Sequence, residues 1–183
     1  MVGCHGIVAH SRDTDVLVLL VHFANQLSPE IWFRTGTAKQ RTYVAVHSMN
    51  IDQALSKTLP AFHALTGCDT VSQLCGIGKT TARKIFKQHY SLLDDLRHVT
   101  LSDGTLADAD EFICRLYSGY ETGTKINDVR FKLFNKGSKD LEKLPPIQSS
   151  LQQRINRVHH QCVVWHSSVV AQPDIPCRVG NGW

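Results

Sequence analysis

Long apolar runs are missing from this sequence. Val16-Leu17-Val18-Leu19-Leu20-Val21 falls far short of the roughly 20 residues that a bilayer-spanning helix needs. The same run has neither the basic flank nor the small-residue cleavage site of a secretory leader. The expectation is therefore an intracellular protein, nuclear or cytoplasmic, with no membrane partner. Paired cysteines are missing too: Cys4, Cys68, Cys75, Cys114, Cys162 and Cys177 are scattered, with no CxxC anywhere. That argues against a disulfide framework and for reduced thiols. There is no internal repeat and no strong excess of one charge. A net charge of +4 permits nucleic-acid binding without demanding it, so where the basic residues sit matters more than their sum.

What is present suits an ordinary folded domain. With 183 residues, 42% of them hydrophobic and 20% charged, the chain can bury a real core, and disorder is excluded as its dominant state.

Gly6 to His10 reads as a short buried strand that ends at Ser11-Arg12-Asp13-Thr14-Asp15. The run from Val16 to Val21 is ambiguous: its β-branched residues suggest strand, while its Ser and Asp lead-in suggests a helix start. Ile31 to Arg34 and Thr42 to Val46 read as an antiparallel hairpin. Asn50 reads as the cap of a helical segment through Ala54 and Leu55. Pro60 would interrupt that segment and sit in the first turn of a second helix, Leu59 to Leu65, ended by Gly67.

Helical patterns follow over Lys79–Tyr90, Leu92–His98 with Ser91 as cap, Leu106–Tyr117, Ile126–Phe134 and Leu151–Val170. The tail from Pro173 to Trp183 reads as a surface strap or as disordered. Strands come first and helices afterwards, so the pattern is the edge of an α/β sheet continuing into a helical module.

Three carboxylates stand out by position. Asp13 and Asp15 follow a strand, where the side chains of open α/β sheets converge on a ligand crevice. Asp69 lies in Thr66-Gly67-Cys68-Asp69, just past a helix end. Magnesium takes oxygen ligands and keeps several waters, so a few carboxylates suffice to hold it. Two such ions about 4 Å apart activate water and stabilise the leaving oxygen in phosphodiester cleavage. The ordinary uses of these residues are helix capping for Asp13 or Asp15 and turn chemistry for Asp69, and spacing alone leaves both open.

The second feature is Leu74-Cys75-Gly76-Ile77-Gly78-Lys79-Thr80-Thr81-Ala82. Gly-x-Gly at a helix start presents backbone N–H groups that can hold a phosphate, aided by the helix dipole. The helix it opens carries Lys79, Arg83, Lys84 and Lys87 with no acidic residue as far as Tyr90. Such a face holds a DNA backbone without reading its sequence, or is simply solvated. A P-loop is excluded: Gln73 stands where that motif needs its first glycine, and no strand leads into the loop.

The order of strand, Asp-x-Asp, hairpin, helix, Gly-x-Asp, Gly-Ile-Gly and basic helix resembles the flap endonuclease and XPG superfamily of PIN-like nucleases. The stretches Asp13–Leu20 and Ala61–Thr70 are similar, more closely, to animal PIN-like proteins of the asteroid branch. The resemblance covers Gly6 to Tyr90, with a weaker likeness at Leu151–Trp165 and Gly182-Trp183.

It implies a PIN-like α/β fold continuing into a helix-hairpin-helix and further helices. Residues 1–90 would be the partial nuclease domain with the hairpin element near 66–90. Residues 91–172 would be a helical extension and 173–183 an irregular tail. Asp13, Asp15 and Asp69 would be the catalytic and metal-binding carboxylates for magnesium or manganese. Gly76, Ile77, Gly78, Lys79, Thr80, Arg83, Lys84 and Lys87 would grip branched or duplex DNA, or RNA, with a potassium ion at the hairpin.

The family's early aspartates and its glutamate-rich helix have no counterpart before Asp13. The expectation is therefore a truncated nuclease-like domain of low or no activity, with an exposed sheet edge. The rival is a non-catalytic DNA-binding or protein-interaction remnant.

Other features read as structural. His159, Cys162 and His166 share a helix face, but a fourth zinc ligand at tight spacing is missing. Phe112, Ile113, Leu116 and Tyr117 form a core stripe, and Val164 and Trp165 pack the last helix. Cys68 and Cys75 read as packed or buried loop residues. Lys125, Arg130, Lys132 and Lys136 read as a solvated face.

Overall fold

The computed structural model describes residues 5–27, 30–118, 125–137 and 140–183. They divide into two units, one ending at Pro60 and the other beginning at Ala61.

In the first unit, β1 (Ile7–His10), β2 (Ile31–Gly36) and β3 (Arg41–Ala45) form one sheet in the order β1-β2-β3. β1 runs parallel to β2, with Ile7 opposite Ile31. β3 runs antiparallel, with Phe33 opposite Val44. The expected hairpin is therefore present, and its chain reversal uses Gly36 at φ +93, with the Thr37 amide donating to the Gln40 carbonyl at 2.8 Å.

Two parallel strands need a crossover connection, and this resolves the ambiguous apolar run. Thr14–His22 is a helix, α1, between β1 and β2. Its Val21 joins Ile31, Phe33 and Val46 in a small core, flanked by Leu17, Leu20 and Leu59.

The expectation of a buried first strand is corrected. Ile7 is 41% exposed and Val8 59%, because β1 lies at the sheet's edge and, among the described residues, has a hydrogen-bonded neighbour strand on one side only.

The break at Pro60 is also corrected. Gln53–Thr66 is one helix, α2, with Pro60 inside it. Asp52, rather than Asn50, caps it, accepting from the Ala54 and Leu55 amides at 2.8 and 3.3 Å. Proline lacks the N–H that would bond the carbonyl four residues back. Here that carbonyl, Ser56 O, is met by His22 Nδ1 at 3.0 Å, while Ser56 Oγ donates to Val21 O at 3.0 Å. The His22 side chain thus supplies the donor that the ring removes, and the Ser56 hydroxyl ties α2 to α1 beside it.

The second unit is helical, with α3 (Lys79–His89), α4 (Asp103–Ser118), α5 (Ile126–Asn135) and α6 (Gln148–His166). Phe62 stacks on Phe86 at 4.3 Å and meets Phe112 edge-on at 6.5 Å. Around that cluster Leu93, Leu96, Ile113, Ile126, Leu151, Ile155 and Val158 are all buried. The Leu92–His98 α-helix expected after α3 is instead a 3-10 helix, Tyr90–Arg97, with no side-chain cap. A repeat of three residues brings Leu93 and Leu96 onto the same side, and both are buried. α6 stops at His166 and continues as a 3-10 turn, Ser167–Val169.

The tail is a strap along α6. His160 Nε2 bonds the Pro176 carbonyl at 2.9 Å, and Arg157 donates to the Gly182 carbonyl. Gly182 has φ +89, and a Cβ there would lie 2.3 Å from Gln153 O, so glycine is required. No helix among the described residues is long and apolar enough to cross a membrane.

Candidate functional site

Asp13 and Asp15 stand beyond the carboxyl end of β1, at the start of α1. Asp13 is the N-cap: its backbone is extended (φ −81, ψ 128) and its Oδ1 accepts from the Asp15 amide at 2.9 Å. Its own amide donates to Ser11 Oγ at 3.0 Å. Capping is thus a real use of Asp13, and it leaves the carboxylate exposed. Asp15, in the first turn of α1, is half-buried, a position where the helix dipole favours a negative charge.

Asp69 belongs to the second unit. It sits at the exposed tip of a turn closed by the Cys68–Val71 bridge, with amide-to-carbonyl distances of 3.0 and 3.3 Å. Gly67 makes the turn possible. At φ +120, a Cβ there would lie 2.7 Å from Gln73 Cγ and 3.0 Å from Gln73 Cα. Thr70 Oγ1 donates to Gln161 Oε1 on α6 at 2.8 Å.

The Gly-Ile-Gly segment leads directly into α3. Gly76 is at φ +74, and the Ile77 amide donates to Leu74 O at 3.2 Å. The Tyr117 hydroxyl donates to Cys75 O at 3.1 Å. Burial pushes that phenol up to about 12, which keeps it a neutral donor. Gly78 is the N-cap of α3 and makes no side-chain cap bond. A Cβ on it would find nothing within 4 Å. The first amides of α3 therefore lack a side-chain acceptor at an open helix end.

Lys79, Thr80, Arg83, Lys84 and Lys87 are exposed, while Ala82, Ile85 and Phe86 face the core. Lys79 Nζ lies 3.2 Å from His63 Nδ1. An ammonium has no lone pair, so the imidazole nitrogen is the acceptor. His63 is itself buried and stacks on Trp165 at 6.2 Å. The ammonium end of the lysine is thus tethered to a buried histidine.

The remaining candidates fall out as structural, with one correction. His159 Nε2 bonds His98 O at 2.7 Å, His166 Nδ1 bonds Cys162 O at 2.8 Å, and burial drives the Cys162 thiol above its usual range. These three form no metal-holding group. Phe112, Ile113, Leu116, Tyr117 and Trp165 are buried. Cys68 is half-buried, but Cys75, expected to pack, is exposed beside Gly76. Lys125, Lys132 and Lys136 are exposed. Arg130 is partly buried and donates to Pro145 O, a structural bond rather than part of a solvated face.

Two residues were missed by sequence reasoning. One is His63, under Lys79. The other is Arg154, 7% exposed on α6. A signal existed for Arg154: it sits in the helical stripe of Leu151, Ile155 and Val158, where a cation is out of place unless something inside accepts its protons.

No protein-family model, curated protein or solved structure matches this chain. The fold itself defines a mixed α/β protein, with a small mixed sheet and a helical second unit.

Proposed function

We propose that this chain is a truncated nuclease-like domain of the PIN-like, flap-endonuclease type, of low or no cleavage activity by itself, that binds branched or duplex DNA inside the cell. The observation that carries the reading is the N-terminus of α3. It combines an uncapped, open helix end at Gly78 with exposed Lys79, Arg83 and Lys87 at intervals of four residues, and Lys84 beside them. Backbone amides and a helix dipole attract one phosphate, and the cations follow the strand without reading bases. A potassium ion at the Gly76–Gly78 hairpin belongs to the same reading, and an RNA duplex is the alternative partner.

Asp13, Asp15 and Asp69 supply the ligands for magnesium or manganese. The donor set fits: all three offer hard carboxylate oxygens, two are exposed and one half-buried. When bound, such an ion supplies charge stabilisation for phosphodiester hydrolysis by water. The protein's own contribution is to orient the ligands, with Asp13 and Asp15 set by the start of α1 and Asp69 by its turn.

The test is a labelled duplex with a single-stranded flap, incubated with and without magnesium, with binding and cleavage followed in the same tube. Asp15→Ala and Asp69→Ala should abolish any cleavage the parent shows and leave binding intact. If both cut as well as the parent, the site assignment is wrong. A second reading, a DNA-binding module without catalysis, is favoured by the capping bond of Asp13, which gives that aspartate a structural role independent of metal. Salt-sensitive binding with no cleavage selects it.

A further inference from the structure

α6 has no part in the reading above, yet it holds the turn that carries Asp69. The Arg154 guanidinium reaches both arms of that turn. Nε and Nη2 donate to Leu65 O at 3.3 and 3.1 Å, Nη1 donates to Ser72 Oγ at 3.3 Å, and Nη2 also donates to Ser72 O. Leu65 lies before the turn and Ser72 after it, so one planar fork joins them across the base. Two helical turns further along α6, Gln161 accepts from Thr70, the neighbour of Asp69. Base and tip are thus both tied to one helix. A buried cation is costly, and Arg154 carries that cost with two carbonyls and a hydroxyl as its acceptors. An apolar residue in this stripe would pack the helix without it.

We infer that α6 sets the position of the Asp69 carboxylate, with Arg154 and Gln161 as positioning residues. The inference rests on the reading of Asp69 as a metal ligand. Groups bonded directly to a metal ligand typically change metal affinity by about 10- to 100-fold when removed. Arg154 and Gln161 act one step further out, through Leu65, Ser72 and Thr70, so the low end of that range is expected. The helical part of the chain would then be a working part of the site.

The experiment compares the full chain with Arg154→Lys, Gln161→Ala and Asp69→Asn. Arg154→Lys keeps the charge but replaces a rigid fork by a point charge. Gln161→Ala touches only a hydrogen bond near the surface, so it carries the test if the first variant fails to fold. Thermal melting checks folding, Mn2+ binding is read by electron paramagnetic resonance, and amide exchange is followed at Cys68 and Val71. The expected result is a folded protein with about tenfold weaker Mn2+ binding and faster exchange at those two amides. Unchanged Mn2+ affinity and unchanged exchange in folded variants overturn the inference. A parent chain that ignores Mn2+, or binds it equally well as Asp69→Asn, overturns the metal reading instead. That failure is recognisable because the exchange difference at Cys68 and Val71 persists without metal.

Discussion

Replacing Lys84 and Lys87 with glutamine removes two of the four cations on the exposed surface of α3 and should be read out as a change in salt dependence. Each cation that neutralises a phosphate contributes about 0.9 to the slope of log K against log salt. If Lys79, Arg83, Lys84 and Lys87 each neutralise one phosphate, as proposed, the parent slope should be about −3.6. Between 50 and 200 mM salt that is a loss of roughly two orders of magnitude in affinity. The double variant should show a slope of about −1.8 and lose only about tenfold over the same range. Both side chains are exposed, so stability should stay within about 0.5 kcal/mol of the parent. The assay is fluorescence anisotropy of a labelled duplex across a salt series. An unchanged slope in the double variant would refute the argument, because the phosphates would then be held elsewhere.

Two further predictions concern stability. His22→Ala leaves the Ser56 carbonyl without its donor beside Pro60, at a cost of about 1–3 kcal/mol in urea denaturation. The cost should shrink when Pro60→Ala restores a helical N–H, and a cycle showing no coupling between the two would sink the explanation. His159 should make stability pH-dependent. Burial holds its pKa below the ordinary 6.5, helped by the neighbouring His160 and opposed by its bond to His98 O. As pH falls through 6.5 the unfolded chain takes up the proton first, so this stability is complete above that pH and declines below it. His159→Gln should flatten the acid side of the profile, and an equally steep decline in that variant would assign the effect to other groups.

The elements legible in the sequence were those whose signal is local. Ile31 and Phe33 alternate with Trp32 and Arg34, and β2 buries the first pair. α3 keeps its cations on one side of Ala82, Ile85 and Phe86 and starts at its glycine pair. The cap of α2 is misassigned to Asn50 by the sequence reading although its signal is local too: Asp52 makes the bonds, to amides two and three residues away.

What the sequence left open depended on partners far along the chain. The run from Val16 to Val21 suited either structure until the parallel pairing of β1 with β2 required a crossover. Pro60 reads as a break in isolation, and it stays inside a helix because His22, 34 residues from Ser56, meets the carbonyl it leaves unbonded. Ile7 and Val8 are apolar in any reading, and only their place at the sheet edge leaves them exposed. Arg154 contacts Leu65 and Ser72 across separations of 89 and 82 residues. Residue type and spacing can nominate an aspartate as a ligand, because donor chemistry is intrinsic to the side chain. What holds its turn in place is decided by packing, since the acceptors that make a buried guanidinium tolerable are assembled only when the helices meet.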